Sequence, residues 1–320
     1  MKKLLSLLLS ATLVFSCATM TVLGVQNEEK DNLDYTLAEV RDILNSYFQD
    51  NDMEYVVGSE EYYEYLLDQL MFHEDEKLSS HPQYELILDY ASAYLCEYQD
   101  NMTSSIATRS NSLDEIVEIG DDFDKTISEI SAKYRIDEET ESLASTRAVI
   151  PYNYNASKAI SYARQWATGR NPNYKSFSSD CANFVSQCLV AGGVPQVRNG
   201  FPMKELTNDT KQWFSFKQSN KSFYTTTFVQ TRPLATFWIL SKSVPTTTVT
   251  TKSSAISNVK AGDVVNLKRK STGIQYHSII ISYKSGNTVK YCGHTHDRKD
   301  QLFSSIGSDN DFFIMKFAKR

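Results

Sequence analysis

The stretch Ser178–Leu189, SSDCANFVSQCL, decides how the second half of this chain is read. Cys181 stands directly behind Asp180, and Phe184, Cys188 and Leu189 follow at spacings that share one helical face. Asp180 suits the N-cap, where a carboxylate accepts from free backbone N–H groups. Gly192, Gly193 and Pro195 supply the stop. Cys181 therefore falls in a first helical turn, where the dipole favours a thiolate and unpaired N–H groups can hold an oxyanion. Cys188, two turns deeper, lacks that field and reads as core. A lone cysteine is more often packed than reactive, so the rest of the chain must supply a base.

It does so in residues 275–298, QYHSIIISYKSGNTVKYCGHTHDR, two strand-like runs around a turn signal. With Ser285-Gly286 as a two-residue turn, Lys284 pairs with Asn287 and His277 lies opposite His294, their Cβ atoms about 5 Å apart. Ile279 and Cys292 then share that face. A turn longer by one residue would send His294 to the other face. His277 is the candidate base, His294 or Asp297 the candidate orienting group, and His296 a surface residue. Around them, ASKAISYARQWAT (156–168) reads as a helix ending near Gly169, KAGDVVNLKRK (260–270) as a strand entered from a Gly-Asp turn, and FFIMKF (312–317) as another strand. Helices followed by antiparallel strands give an α+β domain.

The first half is helical and acidic. YTLAEVRDILNSYF (35–48), EEYYEYLLDQLMF (60–72) and YELILDYASAYLCEY (84–98) repeat apolar residues every three or four positions. SLDEIVEIGDDFDKTISEISAKY (112–134) places Ile116, Ile119, Phe123, Ile127 and Ile130 on one face of a further helix. His73 and His81 stand alone and carry no catalytic pattern. ESLASTRAVIPYNYN (141–155) is the linker, so the acidic helical region spans 25–147 and the second unit 148–320.

Residues 1–26, MKKLLSLLLSATLVFSCATMTVLGVQ, carry two lysines, an apolar run and small residues near Gly24. This is the pattern of a secretory signal over 1–24, and of an exported bacterial protein. Cys17 offers lipid modification as the alternative. No later run reaches the roughly 18 apolar residues of a membrane span. Cys96, Cys181, Cys188 and Cys292 remain after the signal. If Cys181 is reactive, at most one bridge forms, and Cys188–Cys292 is the pair to test.

The formal charge of −6 conceals an asymmetry. Between Val25 and Arg147, 31 acidic and 8 basic residues leave −23; from Ala148 onward, 8 acidic and 23 basic residues leave +15. A basic exported unit is steered toward anionic polymers of a cell wall, or docks on its own acidic half. Nothing points to nucleic acid.

YNASKAISYARQWA, NPNYKSFSSDCANFVSQCLVAGG, GDVVNL, YHSIIIS and GHTHDR together resemble the bacterial putative amidase domain, within the papain-like superfamily of cysteine amidohydrolases and cell-wall peptidases. The resemblance covers Pro151 to Phe317. It implies a papain-like fold, with a cysteine-bearing helix packed on an antiparallel sheet. It also implies Cys181 as nucleophile, His277 as base and a polar third residue at His294, with Tyr174 lining the site; Asp180 and Asp297 are candidate supporting residues, and the chemistry needs no cofactor or metal. The implied activity is hydrolysis of an amide bond in peptidoglycan stem peptides. Two departures stand out: Ala182 replaces an expected threonine, and residues 225–240, TTTFVQTRPLATFWIL, lack an expected Ser-x-Ser-Trp. Two alternatives use the same residues differently. One is a zinc-dependent amidase holding its metal with Cys181, His277, His294 and His296. The other is a wall-binding surface protein without turnover.

Overall fold

A computed structural model describes residues 30–108, 117, 120–137, 140, 153–242 and 244–319. The expected signal at 1–24, Cys17 and residues 141–152 of the expected linker lie outside these. From Asp31 on, the described residues pack as one compact unit.

Three helices open it: α1 (Leu37–Asp50), α2 (Glu60–Phe72) and α3 (Tyr84–Thr108). Thr36 starts α1 through a capping box, its hydroxyl accepting from Glu39 N–H while Glu39 accepts from Thr36 N–H at 2.7 Å. Ser59 caps α2 in the simpler way, through the Tyr62 N–H. α3 is buried nearly all round, including Leu86, Ile87, Leu88, Tyr90, Tyr94 and Leu95. A helix apolar on every side needs partners on every side, and α3 lies against α1, α2 and the sheet.

Of the helix expected over 112–134, Ile116 and Ile119 lie outside the described residues, and residues 120–134 do not form one continuous helix. Gly120 takes a left-handed φ of 59° and opens a short 3-10 turn, Gly120–Asp124. Thr126 then caps a separate helix, α4 (Ile127–Tyr134), through its own box with Glu129. The periodic isoleucines masked a start signal, Thr-x-x-Glu, in mid-stretch.

After α5 (Ala156–Trp166) and α6 (Cys181–Ala191) comes a small three-stranded sheet: β1 (Leu206–Thr207), β2 (Ser215–Gln218) and β3 (Lys221–Thr225). The main sheet has six strands, β4 (Thr246–Val249), β5 (Val264–Arg269), β6 (Gln275–Ser285), β7 (Thr288–Gly293), β8 (Arg298–Leu302) and β9 (Asn310–Met315). Their order is β4-β9-β5-β6-β7-β8, and every neighbouring pair is antiparallel. The α+β class, the helices at 156–166 and 181–191 and the strands at 264–269 and 310–315 follow the sequence reading. β5 enters from Gly262, whose φ of 97° belongs to glycine.

The acidic helices and the sheet share one apolar cluster. Arg269 of β5, 3% exposed, donates from Nε to Asp89 Oδ1 at 2.7 Å and from Nη2 to Glu85 Oε2 at 2.6 Å, both on α3. Tyr276 of β6 donates to Asn310 Oδ1, and Asn310 Nδ2 donates to Leu70 O of α2.

Candidate active site

Helix α6 begins at Cys181 and ends with Gly192 as its C-cap, and residues Cys181 to Leu189 are all buried. Asp180 stands at the N-cap position without capping through its side chain. The expected cap is replaced by lateral bonds. Oδ1 accepts from Asn183 Nδ2 at 2.7 Å and Phe177 N–H at 3.2 Å, while Oδ2 lies 2.6 Å from His294 Nδ1 and 3.5 Å from Arg170 Nε. The Arg170 guanidinium attracts this carboxylate more strongly than neutral backbone amides do. Arg170 also binds Asp297 at 2.8 Å.

The hairpin turns one residue later than expected. Gly286 and Asn287 form the loop, Ser285 pairs with Thr288, and a bulge between Ile281 and Tyr283 shifts the register again. Ile280 therefore lies opposite Cys292, and β7 ends at Gly293 before any residue can face His277. The expected His277–His294 pair across the strands is not formed. Gly286 accounts for the turn, since its φ of 54° is the left-handed conformation such loops require. Gly293 instead lies beside His277, its ideal Cβ position being 3.6 Å from Nε2.

His294 goes elsewhere. Its ring stacks on Phe184 of α6 with centroids 3.9 Å apart, Nδ1 meets Asp180, and Nε2 meets Trp166 O of α5 at 2.7 Å. Both nitrogens are engaged, so His294 pins the ends of two helices together. Thr295 and His296 hold left-handed backbone, φ 59° and 58°, an arrangement that costs non-glycine residues about 1–2 kcal/mol each. That turn aims Thr295 Oγ1 at the Asp180 N–H, 2.9 Å away. His296 pairs with Asp68 of α2 at 2.5 Å. Among the described residues no group of three His, Cys, Asp or Glu side chains is arranged to hold a metal ion. The four residues of the zinc alternative do not converge.

Cys181 is 0% exposed. Its sulfur lies 3.4 Å from Thr231 Oγ1 and near the backbone N–H of Ser278, next in the chain to His277. Burial pushes the Cys181 thiol up, against the downward pull of Thr231 and of the Ser278 and Ala182 N–H groups. The expected bias toward thiolate at the helix start is thus outweighed by desolvation. Burial, with Arg298 nearby, pushes His277 down to about 3. His277 Nδ1 is buried with no partner among the described residues, and none of the hydrogen bonds there joins His277 to Cys181. Burial thus favours a neutral thiol at Cys181 and a neutral imidazole at His277.

Tyr174 lies apart from this sulfur. It stacks on Phe228, and with Tyr162, Gln187 and Phe216 it lines a cavity of about 440 Å³. Cys96, Cys181, Cys188 and Cys292 are all free thiols, so the Cys188–Cys292 bridge is not formed. Thr231, Ser179, Gln99 and Tyr63 adjoin the sulfur or its flanking residues and carry no motif. Only tertiary packing brings them there.

Residues 153–316, just over half of the chain, match the family model described as "Putative amidase domain", and the chain belongs to that family. Membership points to hydrolysis of a C–N bond. A stretch of 72 residues is 40% identical to the "Uncharacterized protein YhbB" of Bacillus subtilis (strain 168), covering 22% of this chain and 21% of that protein. The match thus spans about a fifth of that relative's length. No solved structure matches.

Proposed function

We propose that this chain is an exported cysteine hydrolase of papain-like type that cuts an amide bond in peptidoglycan stem peptides. The observation that carries the reading is the Cys181 sulfur at the mouth of α6, against the backbone of Ser278 and one residue along β6 from His277. The unpartnered Nδ1 of His277 supports its role as base. In the reaction His277 takes the Cys181 proton, and the sulfur attacks the amide carbonyl. The backbone N–H groups of the first turn of α6 hold the oxyanion. His277 returns the proton to the leaving amine as the C–N bond breaks. Water, deprotonated by His277, then releases the acid and restores the thiol. The chemistry requires no metal. His294 and Asp297 serve it indirectly, by fixing Asp180 and Arg170 at the start of the nucleophile helix.

The lysine-led apolar run at residues 1–24 supports export, and the +15 of the second half supports approach to anionic wall polymer. Incubating purified wall fragments with native, Cys181→Ala and His277→Ala protein, with products read by mass, tests the scheme. New amino termini are expected only with native protein; equal release by Cys181→Ala would end the cysteine mechanism. The closed thiol favours a second reading, a wall-binding protein without turnover. Wall binding retained by Cys181→Ala, with no amine released by any form, would identify it.

A further inference from the structure

The groups beside the Cys181 sulfur come from the family domain, but one of them is itself held from outside it. Thr231 reaches it through a hydroxyl at 3.4 Å. Once the thiol loses its proton the sulfur can only accept, and Thr231 becomes the donor. The Thr231 backbone N–H is itself tied to Gln99 Oε1 at 2.9 Å. The other end of that amide, Gln99 Nε2, donates to Ser179 Oγ at 2.9 Å, and Tyr63 OH bonds the same hydroxyl at 2.8 Å. Gln99 is 5% exposed and lies on α3, well before residue 153 where the family match begins. One amide therefore bridges the approach to the nucleophile helix and the start of the segment Thr231–Thr236 that bears the sulfur's hydroxyl partner. Both of its bonds end on residues flanking a single sulfur.

We propose that Gln99 is a positioning residue for Cys181, holding the Thr231 hydroxyl against the sulfur, and that α3 is consequently a component of the active site. The proposal rests on the reading of Cys181 as nucleophile. The titratable groups near the sulfur are Tyr63 from α2, Cys96 from α3, Asp180 beside it and His277 of β6, and the test leaves all four unaltered.

The experiment titrates the ultraviolet thiolate absorbance of the full-length protein, referenced against Cys181→Ala so that Cys181 alone is read. Gln99→Met keeps the side-chain volume and removes both bonds. It is expected to raise the Cys181 midpoint by about one unit, a tenfold loss of thiolate at a given pH, because a hydrogen bond to a charged group is worth at least that much. Thr231→Val should raise it by a similar amount, and the double variant should add little beyond either. Gln99→Glu keeps an acceptor for Thr231 and is expected to hold the fold while its charge raises the midpoint further. A bond of purely structural value would lower the melting temperature and leave the midpoint in place. Folded Gln99→Met with the native midpoint, or additive shifts in the double variant, would overturn the proposal. Failure of the nucleophile reading is seen separately, as amine release from wall fragments by Cys181→Ala.

Discussion

Asp180 directs its carboxylate sideways, to His294, Asn183 and the Phe177 N–H, and the start of helix α6 is held by that choice. Asp180→Ala leaves a fully buried imidazole and amide without their acceptor. A loss of about 2–4 kcal/mol is expected, read as a lowered urea midpoint of the full chain. His277 sets a second consequence. Its nitrogen is neutral when folded because burial pushes it down to about 3, whereas an unfolded chain restores the ordinary value near 6.5. The unfolded state therefore binds the extra proton between those values, so the stability His277 contributes is present above pH 6.5 and lost as pH falls toward 3. The loss reaches about 5 kcal/mol at most. Glu97, pushed up to about 7 by burial, acts with the opposite sign, its contribution being lost as pH rises through that value. The check is consequently a difference: the acid-side fall in melting temperature should be shallower in His277→Gln than in native protein. Equal slopes would mean that the imidazole is solvated. Arg298, which faces His277, is itself engaged by Asp68, and Asp68 also binds His296.

At the scale of elements, the approach of α5 to the sheet depends on Gly262. A Cβ there would lie 2.5 Å from Ala156 Cβ, and the φ of 97° is one that alanine resists. Gly262→Ala is expected to cost about 1–3 kcal/mol. Gly169→Ala, at a position with nothing within 4 Å, should cost little; comparing the two melting temperatures checks the argument. The same scale shows where local reading worked. Helix α6 was legible because Phe184, Cys188 and Leu189 recur at helical spacing before a Gly-Gly stop. β6 was legible from its Ile279–Ile281 run, but its register was not. Whether Ser285-Gly286 or Gly286-Asn287 forms the loop depends on strand twist, and the bulge at Tyr283 answers to packing on both faces. The short elements between Leu206 and Val249 escaped for a related reason. Strands of two to five residues carry too little alternation to be read.

For the molecule as a whole, the acidic helices supply part of the core and reach the residues flanking Cys181. Arg269 is buried among Asp89, Glu85 and Asp309. Arg269→Ala strands a buried carboxylate at Asp89, and about 3–5 kcal/mol should be lost, read by chemical denaturation. Deleting residues up to Arg147 uncovers the sheet where α2 and α3 pack. The truncated chain is expected to aggregate or to show a non-cooperative melt. A soluble, cooperatively melting second half would show instead that the sheet is stable without its helical cover.

Sequence alone determined the features that rest on neighbours along the chain: the helix at Cys181, its glycine stop, the strand carrying His277 and the opposed charges of the two halves. Helical spacing, strand propensity and charge are properties of short windows, and such windows are printed in the sequence. Tertiary structure alone decided that His294 serves Asp180 rather than His277, that the Cys181 thiol is held neutral, and that Gln99 from a distant helix reaches Ser179 and Thr231. Each of these turns on desolvation or on a side chain arriving from far along the chain, and neither exists until the core has closed.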